Sequence, residues 1–184
     1  MIIGITGTDG SGKGAVVDYL VEKKGFVHYS SRSLIIEEIE SRGLPASREQ
    51  MRLVANDMRK EKGNDVIVAT ALDMMVKDRV STAVIESIRA IKEVETLHKA
   101  GGILLAVDAD QQLRYSRISG RKSSSDKVTL DQFVAQEKLE MNDPDPSGMQ
   151  KAAVIKSADY TILNNSTLTE LREQVELFLQ SIHD

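Results

Sequence analysis

The chain has 184 residues, of which 41% are hydrophobic and 28% are charged, as is usual for one globular domain. A formal net charge of −4 and only 4% aromatic residues disfavour a nucleic-acid-binding protein, since such proteins usually carry a basic surface. Cysteine is absent, which excludes disulfides, thiolate catalysis and thiolate metal sites. Because there is no apolar run of membrane-spanning length and no secretory signal pattern after Met1, we expect a cytoplasmic monomer or homodimer without a membrane or nucleic-acid partner.

The first predicted strand, residues 2–6, is followed by a glycine-rich loop and then by a helix predicted over residues 15–24. Glycines between a strand and a helix let successive backbone N–H groups point inward, where they form an anion site with the positive end of the helix. Lys13 would reach the β- and γ-phosphates of a bound nucleotide. We therefore predict an ATP phosphate loop. The residues expected to bind ATP here are Gly7, Asp9, Gly10, Ser11, Gly12, Lys13, Gly14 and Ala15.

The loop lacks the Ser or Thr that usually follows its lysine and bonds to Mg²⁺, because Gly14 and Ala15 stand there instead. Mg²⁺ would then depend on nucleotide oxygens, waters and acidic side chains, since this ion tends to keep its waters. Asp9 and Glu86 are the nearest carboxylates by position, and we expect them to act through water. The missing hydroxyl also leaves open a protein that binds ATP with little or no turnover.

The rest of the chain alternates between short apolar strands and longer segments of helical spacing. Further strands are predicted at 26–29, 83–86, 103–107 and 160–163. Helices are predicted at 33–42, from Ser47, at 64–79, at 90–99 and from Thr167, with Asp110 and Thr129 as further N-caps. This alternation predicts an α/β fold of three layers, in which a five-stranded parallel sheet has helices on both faces. Residues 122–126 are predicted to form a mobile surface loop.

Three later segments carry polar and charged residues that the fold alone does not require. They are Val84-Ile85-Glu86-Ser87-Ile88-Arg89, then Arg114-Tyr115-Ser116-Arg117-Ile118-Ser119-Gly120-Arg121, and the stretch from Ala158 through Asn164-Asn165 to Leu171. Together with the phosphate loop, they resemble the P-loop nucleoside monophosphate kinase superfamily, especially its adenylate-kinase-like and dephospho-CoA-kinase-like members. The resemblance covers residues 1–184 as a single kinase domain.

The resemblance implies roles for several side chains. Glu86 would be the acid that orients Mg²⁺ or water, and Arg89 would hold the acceptor phosphate. Arg117 would pack on the adenine, and Arg121 would contact the phosphoryl group in transfer. The catalytic residues expected on this basis are Lys13, Arg89 and Arg121. Each arginine also has a simpler interpretation as a solvated surface residue.

The resemblance also divides the chain by task. Residues of about 30–79 would form the acceptor-binding region, with Arg32 and Arg59 as candidate ligands, and residues of about 120–145 would form a small helical lid. Asn164 would border the adenine, although two Asn residues also suit a plain turn before a capped helix.

The activity implied is Mg²⁺-dependent transfer of the ATP γ-phosphoryl group to a small acceptor, with a nucleoside monophosphate as the first expectation. A second possibility is dephospho-CoA-kinase-like activity, which the segment from Ala158 to Leu171 supports and Ser31-Arg32-Ser33 opposes. The third is an ATP-binding regulatory protein with little turnover.

Overall fold

The computed structural model describes residues 1–120, 129–145 and 147–182. In these ranges the chain forms five strands and nine helices. The strands are β1 (Ile2–Gly7), β2 (Val27–Ser30), β3 (Ala83–Glu86), β4 (Ile103–Asp108) and β5 (Tyr160–Leu163). The helices are α1 (Lys13–Lys24), α2 (Ser31–Ser41), α3 (Arg48–Lys62), α4 (Val66–Asp78), α5 (Ile91–Lys99), α6 (Gln111–Ser119), α7 (Leu130–Met141), α8 (Lys151–Lys156) and α9 (Leu168–Ser181). None of these helices has both the length and the apolar character that crossing a membrane requires.

All five strands are parallel and lie in the order β2-β3-β1-β4-β5, which confirms the predicted sheet. β1 is central, with Ile2 opposite Ala83 of β3 and Gly7 opposite Val107 of β4. The connection after β1 leads to β2 on one side of the sheet, whereas the connection after β3 leads to β4 on the other side. Such a change of direction produces a crevice at the carboxyl ends of the strands, here β1, β3 and β4. The glycine-rich loop after β1 therefore lies at the place where parallel α/β sheets bind ligands.

The sheet separates two apolar cores, because successive side chains of each strand point to opposite faces. On one face, Ile3 and Ile5 of β1 pack with helices α1 and α9, including the fully buried Phe178. On the other face, Ile85 and Leu104 pack with residues of α2 to α5 and α8. The helices on both faces are the three-layer arrangement that the sequence predicts.

Most predicted helix starts are confirmed. The hydroxyls of Ser47 and Thr167 accept the N–H groups of Gln50 and Glu170, and Thr129 forms a reciprocal capping box with Gln132. Asp110 is the N-cap residue of α6, as predicted, but its carboxylate caps no N–H group of that helix. Instead, Asp110 and Asn165 exchange two hydrogen bonds, Asp110 N–H to Asn165 Oδ1 and Asn165 Nδ2 to Asp110 Oδ1.

Helix α7 lies in the region predicted as the lid. The predicted mobile loop at 122–126 lies outside the described residues.

Candidate nucleotide-binding site

The phosphate loop contains three glycines with positive φ, Gly7, Gly10 and Gly12. Gly7 has a φ of 135° and Gly12 a φ of 103°, values that favour glycine. A Cβ on Gly7 would overlap the carbonyl oxygen of Val107 on the neighbouring strand. Lys13 is the first residue of α1, and its Nζ donates to the carbonyl oxygens of Gly7 at 3.1 Å and Thr8 at 2.6 Å. The lysine thus folds back over its own loop, next to the positive end of α1.

Three cations and two carboxylates alternate beside this loop. Asp9 Oδ1 lies 3.9 Å from Lys13 Nζ and 3.0 Å from Lys151 Nζ. Glu140 Oε2 lies 2.6 Å from Lys151 Nζ and 3.6 Å from Arg89 Nη1. One oxygen of each carboxylate therefore serves two cations. We call Lys13, Asp9, Lys151, Glu140 and Arg89 the charge chain.

Burial and like charge shape the protonation of this charge chain. Burial lowers the pKa of Lys13 from 10.5 to about 8; Asp9 opposes that shift, while Lys151 and Arg89 add to it. Burial acts to raise the pKa of Asp9, but Lys151, Arg89 and Lys13 together hold it well below its usual range. Asp9 is therefore ionised at neutral pH. With all five groups charged, the charge chain carries one more positive than negative charge and suits an anion.

Glu86 ends β3, beside the central strand. Ser30 donates to its Oε1 at 3.0 Å, and His28 Nε2 lies 3.5 Å from the same oxygen. The hydrogen bond from His28 is the largest influence on the pKa of Glu86 and lowers it, burial opposes this shift, and the charges of His28 and Lys13 also favour the carboxylate. Ser87 follows with a φ of 64°, and the chain turns there toward Arg89. Glu86 and Arg89 thus both lie beside the phosphate loop.

A second arginine, which the sequence did not single out, holds the other side of the loop. Arg114 is 5% exposed, and its side chain donates to the carbonyl oxygens of Ala109 at 2.8 Å and Asp9 at 3.3 Å. It also pairs with Glu137 of α7, with Nη2 3.2 Å from Oε2. Arg114 therefore connects the phosphate loop to α7.

Two residues predicted at the adenine side are in contact. Arg117 Nη2 donates to the carbonyl oxygen of Asn164 at 3.0 Å, while Nη1 is buried without a hydrogen-bond partner in the described part of the chain. Asn164 Nδ2 donates to the carbonyl oxygen of Ser11 at 2.7 Å. The turn after β5 is thus attached to the phosphate loop.

The predicted acceptor residues do not converge with Arg89. Arg32 is exposed on the first turn of α2. Arg59 is 3% exposed and pairs with the buried Glu93, with Nη2 3.4 Å from Oε1. The other carboxylate oxygen of Glu93 accepts the backbone N–H groups of Arg89 at 2.7 Å and Ala90 at 3.0 Å. Arg59 thus supports the segment that carries Arg89, and acceptor binding by Arg32 and Arg59 stays a prediction. Arg121 lies outside the described residues.

The carboxylates near the phosphate loop suit a Mg²⁺ ion whose ligands are mostly nucleotide oxygens and waters. Within residues 1–120, 129–145 and 147–182 there is no group of three or more His, Asp or Glu side chains that could hold a metal. The carboxylates of Asp9 and Glu86 are both ionised, but Asp9 accepts from Lys151. The partners of the Glu86 carboxylate in the described residues are Ser30 and His28, and no lysine bonds to it. Glu86 is thus the better candidate for a contact through water.

Sequence reasoning missed Lys151, Glu140 and Arg114. Lys151 precedes Ala-Ala-Val-Ile, an apolar setting that predicts a buried side chain but gives no direction for it. Glu140 and Arg114 have no comparable signal, because both lie on helices rich in charge.

Comparison with known proteins assigns the chain to a family. Residues 3–144 match the family model described as AAA domain. A UPF0200 protein of Thermococcus sibiricus is 32% identical over 183 residues, covering 96% of this chain and 92% of the relative. A UPF0200 protein of Pyrococcus abyssi is also 32% identical, over 189 residues that cover 99% of this chain and 97% of the relative.

Two solved structures share the fold. A Thermus thermophilus protein has a TM-score of 0.63 and 23% identity, with 98% of this chain and 97% of that chain covered. The shikimate kinase of Bacteroides thetaiotaomicron has a TM-score of 0.61 and 14% identity, with 100% and 99% covered. The chain therefore belongs to the UPF0200 family, with an AAA domain and the fold of the P-loop kinases.

Proposed function

We propose that this protein transfers the γ-phosphoryl group of ATP to a small acceptor, with a nucleoside monophosphate as the first candidate. The observation that carries the proposal is the junction of the phosphate loop with Glu86 and the charge chain at one crevice. A protein that only bound ATP would need the loop alone. Here Arg89 lies beside the same crevice, where it would hold an acceptor phosphate.

The chemistry needs no protein nucleophile. An acceptor oxygen forms a bond to the γ-phosphorus while the bond to the β–γ bridging oxygen breaks, and that oxygen leaves on ADP with the electron pair. Lys13 and Arg89 would offset the charge on the equatorial oxygens and hold donor and acceptor in line. When bound, Mg²⁺ would neutralise the β- and γ-oxygens, with Glu86 orienting one of its waters.

The lid is proposed to exclude water from the transfer, since water would otherwise take the phosphoryl group. Glu137 and Glu140 of α7 both contact arginines or lysines of the site. Helix α7 is thus already linked to the crevice that it would cover.

The candidate functions that remain differ in the acceptor of the phosphoryl group. Dephospho-CoA is the acceptor of the second possibility, and two neighbours of the fold are named shikimate kinases, so a hydroxyl acceptor also belongs in any trial. The Nη1 group of Arg117, near Asn164, has N–H groups left for a ligand, which supports a nucleotide base at this position.

The test is an ADP-release assay with ATP and Mg²⁺ against a panel of nucleoside monophosphates, dephospho-CoA and shikimate. We expect turnover with at least one acceptor and its loss in Lys13→Ala by at least about 100-fold. Lys23→Ala, an exposed lysine on the same helix, is the matched control and should retain full activity. Nucleotide binding without turnover of any acceptor would favour the regulatory protein, and a Lys13→Ala variant with wild-type turnover would overturn the proposal.

A further inference from the structure

Lys151 is the least exposed charged side chain of the charge chain. Its side chain is 3% exposed, compared with 14% for Lys13 and 24% for Arg89. It begins α8, far in sequence from the phosphate loop, and yet its Nζ lies 3.0 Å from Asp9 Oδ1 within that loop. Burying an ammonium costs several kcal/mol of folding free energy unless the group is fully paired. The burial of Lys151 therefore suggests a functional role.

The ammonium has one donor more than its partners use. It carries three N–H groups, of which one donates to Asp9 and one to Glu140 Oε2 at 2.6 Å. The third has no partner among the described residues. The two carboxylates also fix the direction of this third N–H, since the ammonium is tetrahedral. Lys151 is thus a charged donor held in place beside the loop.

The three cations of the charge chain are linked through shared carboxylate oxygens. Lys13 and Lys151 share Asp9 Oδ1, and Lys151 and Arg89 share Glu140 Oε2. Lys151 therefore lies between the lysine of the phosphate loop and the arginine expected at the acceptor. A phosphoryl group that passes from ATP to an acceptor travels between those two side chains.

We propose that Lys151 is a further catalytic residue, whose third N–H binds an oxygen of the γ-phosphoryl group during transfer. Asp9 and Glu140 are positioning residues that hold the ammonium in place. The proposal rests on the proposed function and deepens it. It also gives Asp9 a task other than metal binding.

A purely structural task for Lys151 makes a different prediction. If the ammonium only joined α8 and α7 to the loop, its removal would weaken all nucleotides alike, or none. Contact with the γ-phosphoryl group would instead affect triphosphates alone. The ratio of triphosphate to diphosphate affinity therefore separates the two.

The experiment measures the binding of ADP and of the non-hydrolysable analogue AMP-PNP, both with Mg²⁺, by calorimetry. Lys151→Met removes the charge, and Lys151→Gln removes the charge but retains N–H donors for the two carboxylates. We expect both variants to lose about 10- to 100-fold in AMP-PNP affinity, with ADP affinity changed by less than about threefold. Lys156→Met, an exposed lysine on the same helix, is the matched control.

The outcomes separate this inference from the proposed function. If the wild type binds both nucleotides and neither Lys151 variant changes the affinity ratio, Lys151 is structural and only this inference fails. If both variants fail to fold, the same conclusion holds. If the wild type binds neither nucleotide, the proposed function fails as well. Partial recovery of the ratio in Lys151→Arg, which restores the charge, would support the inference further.

Discussion

At the scale of single residues, burial and the close approach of three cationic side chains determine the protonation of Lys13. Lys13 has two cationic neighbours, and burial removes the water that would otherwise stabilise its ammonium. Its pKa of about 8 lies close to physiological pH. A bound phosphate would supply negative charge, raise the pKa of Lys13 and so favour its protonated form. The loop is thus arranged for an anion before any anion binds.

This predicts that nucleotide affinity falls as pH rises through about 8. Below that pKa the free protein already holds the charged lysine; above it, binding must first take up a proton, so the association constant declines. Calorimetry with ADP at pH 7.0, 8.0 and 9.0, in two buffers of different ionisation enthalpy, measures both the decline and the proton uptake. Lys13→Arg stays charged over this range and should bind with little pH dependence. An affinity that is constant from pH 7 to 9 in the wild type would contradict the prediction.

At the scale of elements, the start of α1 depends on a close approach between two loops. Gly12 is the N-cap of α1 with a φ of 103°, and a Cβ there would overlap Nδ2 of Asn164. That amide in turn donates to the carbonyl oxygen of Ser11. The glycine thus serves both the turn of the phosphate loop and the packing of the turn after β5.

Gly12→Ala should destabilise the protein by about 1–3 kcal/mol and weaken nucleotide binding, because alanine opposes the left-handed backbone and displaces Asn164. Gly14→Ala is the matched control two residues later. A Cβ at Gly14 meets no atom within 4 Å, so alanine there should leave stability unchanged or raise it by up to about 1 kcal/mol. Urea denaturation measures both. Equal stability of the two variants would show that the approach of Asn164 to the loop is not tight.

At the scale of the whole molecule, the parallel sheet gathers segments that are far apart in sequence. The strand order places Glu86 and Asp108 on either side of the phosphate loop, and Thr8 Oγ1 donates to Asp108 at 2.5 Å. On the side of the site proposed for the acceptor, α3 is joined to the start of α5 through the buried pair of Arg59 and Glu93. The position of Arg89 thus depends on a helix that lies about thirty residues away in the chain.

Arg59→Met should cost about 3–5 kcal/mol in the free energy of unfolding, since it leaves the carboxylate of Glu93 buried without its ion pair. The adjacent Lys60 is the control. Its side chain is 54% exposed and pairs with Asp145 at the surface, so Lys60→Met should change stability by no more than about 0.5 kcal/mol. Urea denaturation of the two variants provides the comparison. If Arg59→Met proved as stable as Lys60→Met, the guanidinium would be free to serve the acceptor instead.

The amino-acid sequence by itself determined the five strands, their parallel arrangement and the phosphate loop. These are local properties: apolar runs of four or five residues, their spacing by helices, and glycines around one lysine. The contact between Arg117 and Asn164 was also accessible in part, since both residues were expected near the adenine. Asp110 is the N-cap residue of α6, as the sequence indicated, but its carboxylate accepts from a partner 55 residues away instead of capping the helix.

Only the tertiary structure decided which charges meet. Lys151 and Glu140 lie more than a hundred residues from Asp9, and the sign of a charge carries no information on its partner. Burial is equally non-local: Arg59 and Arg32 look alike in the sequence, yet one is enclosed by two helices and the other faces solvent. The folded chain turns single charges into an ordered chain of three cations and two carboxylates. The carboxyl ends of β1 and β3 bring Asp9 and Arg89 to one edge of the sheet, and α7 and α8 add Glu140 and Lys151.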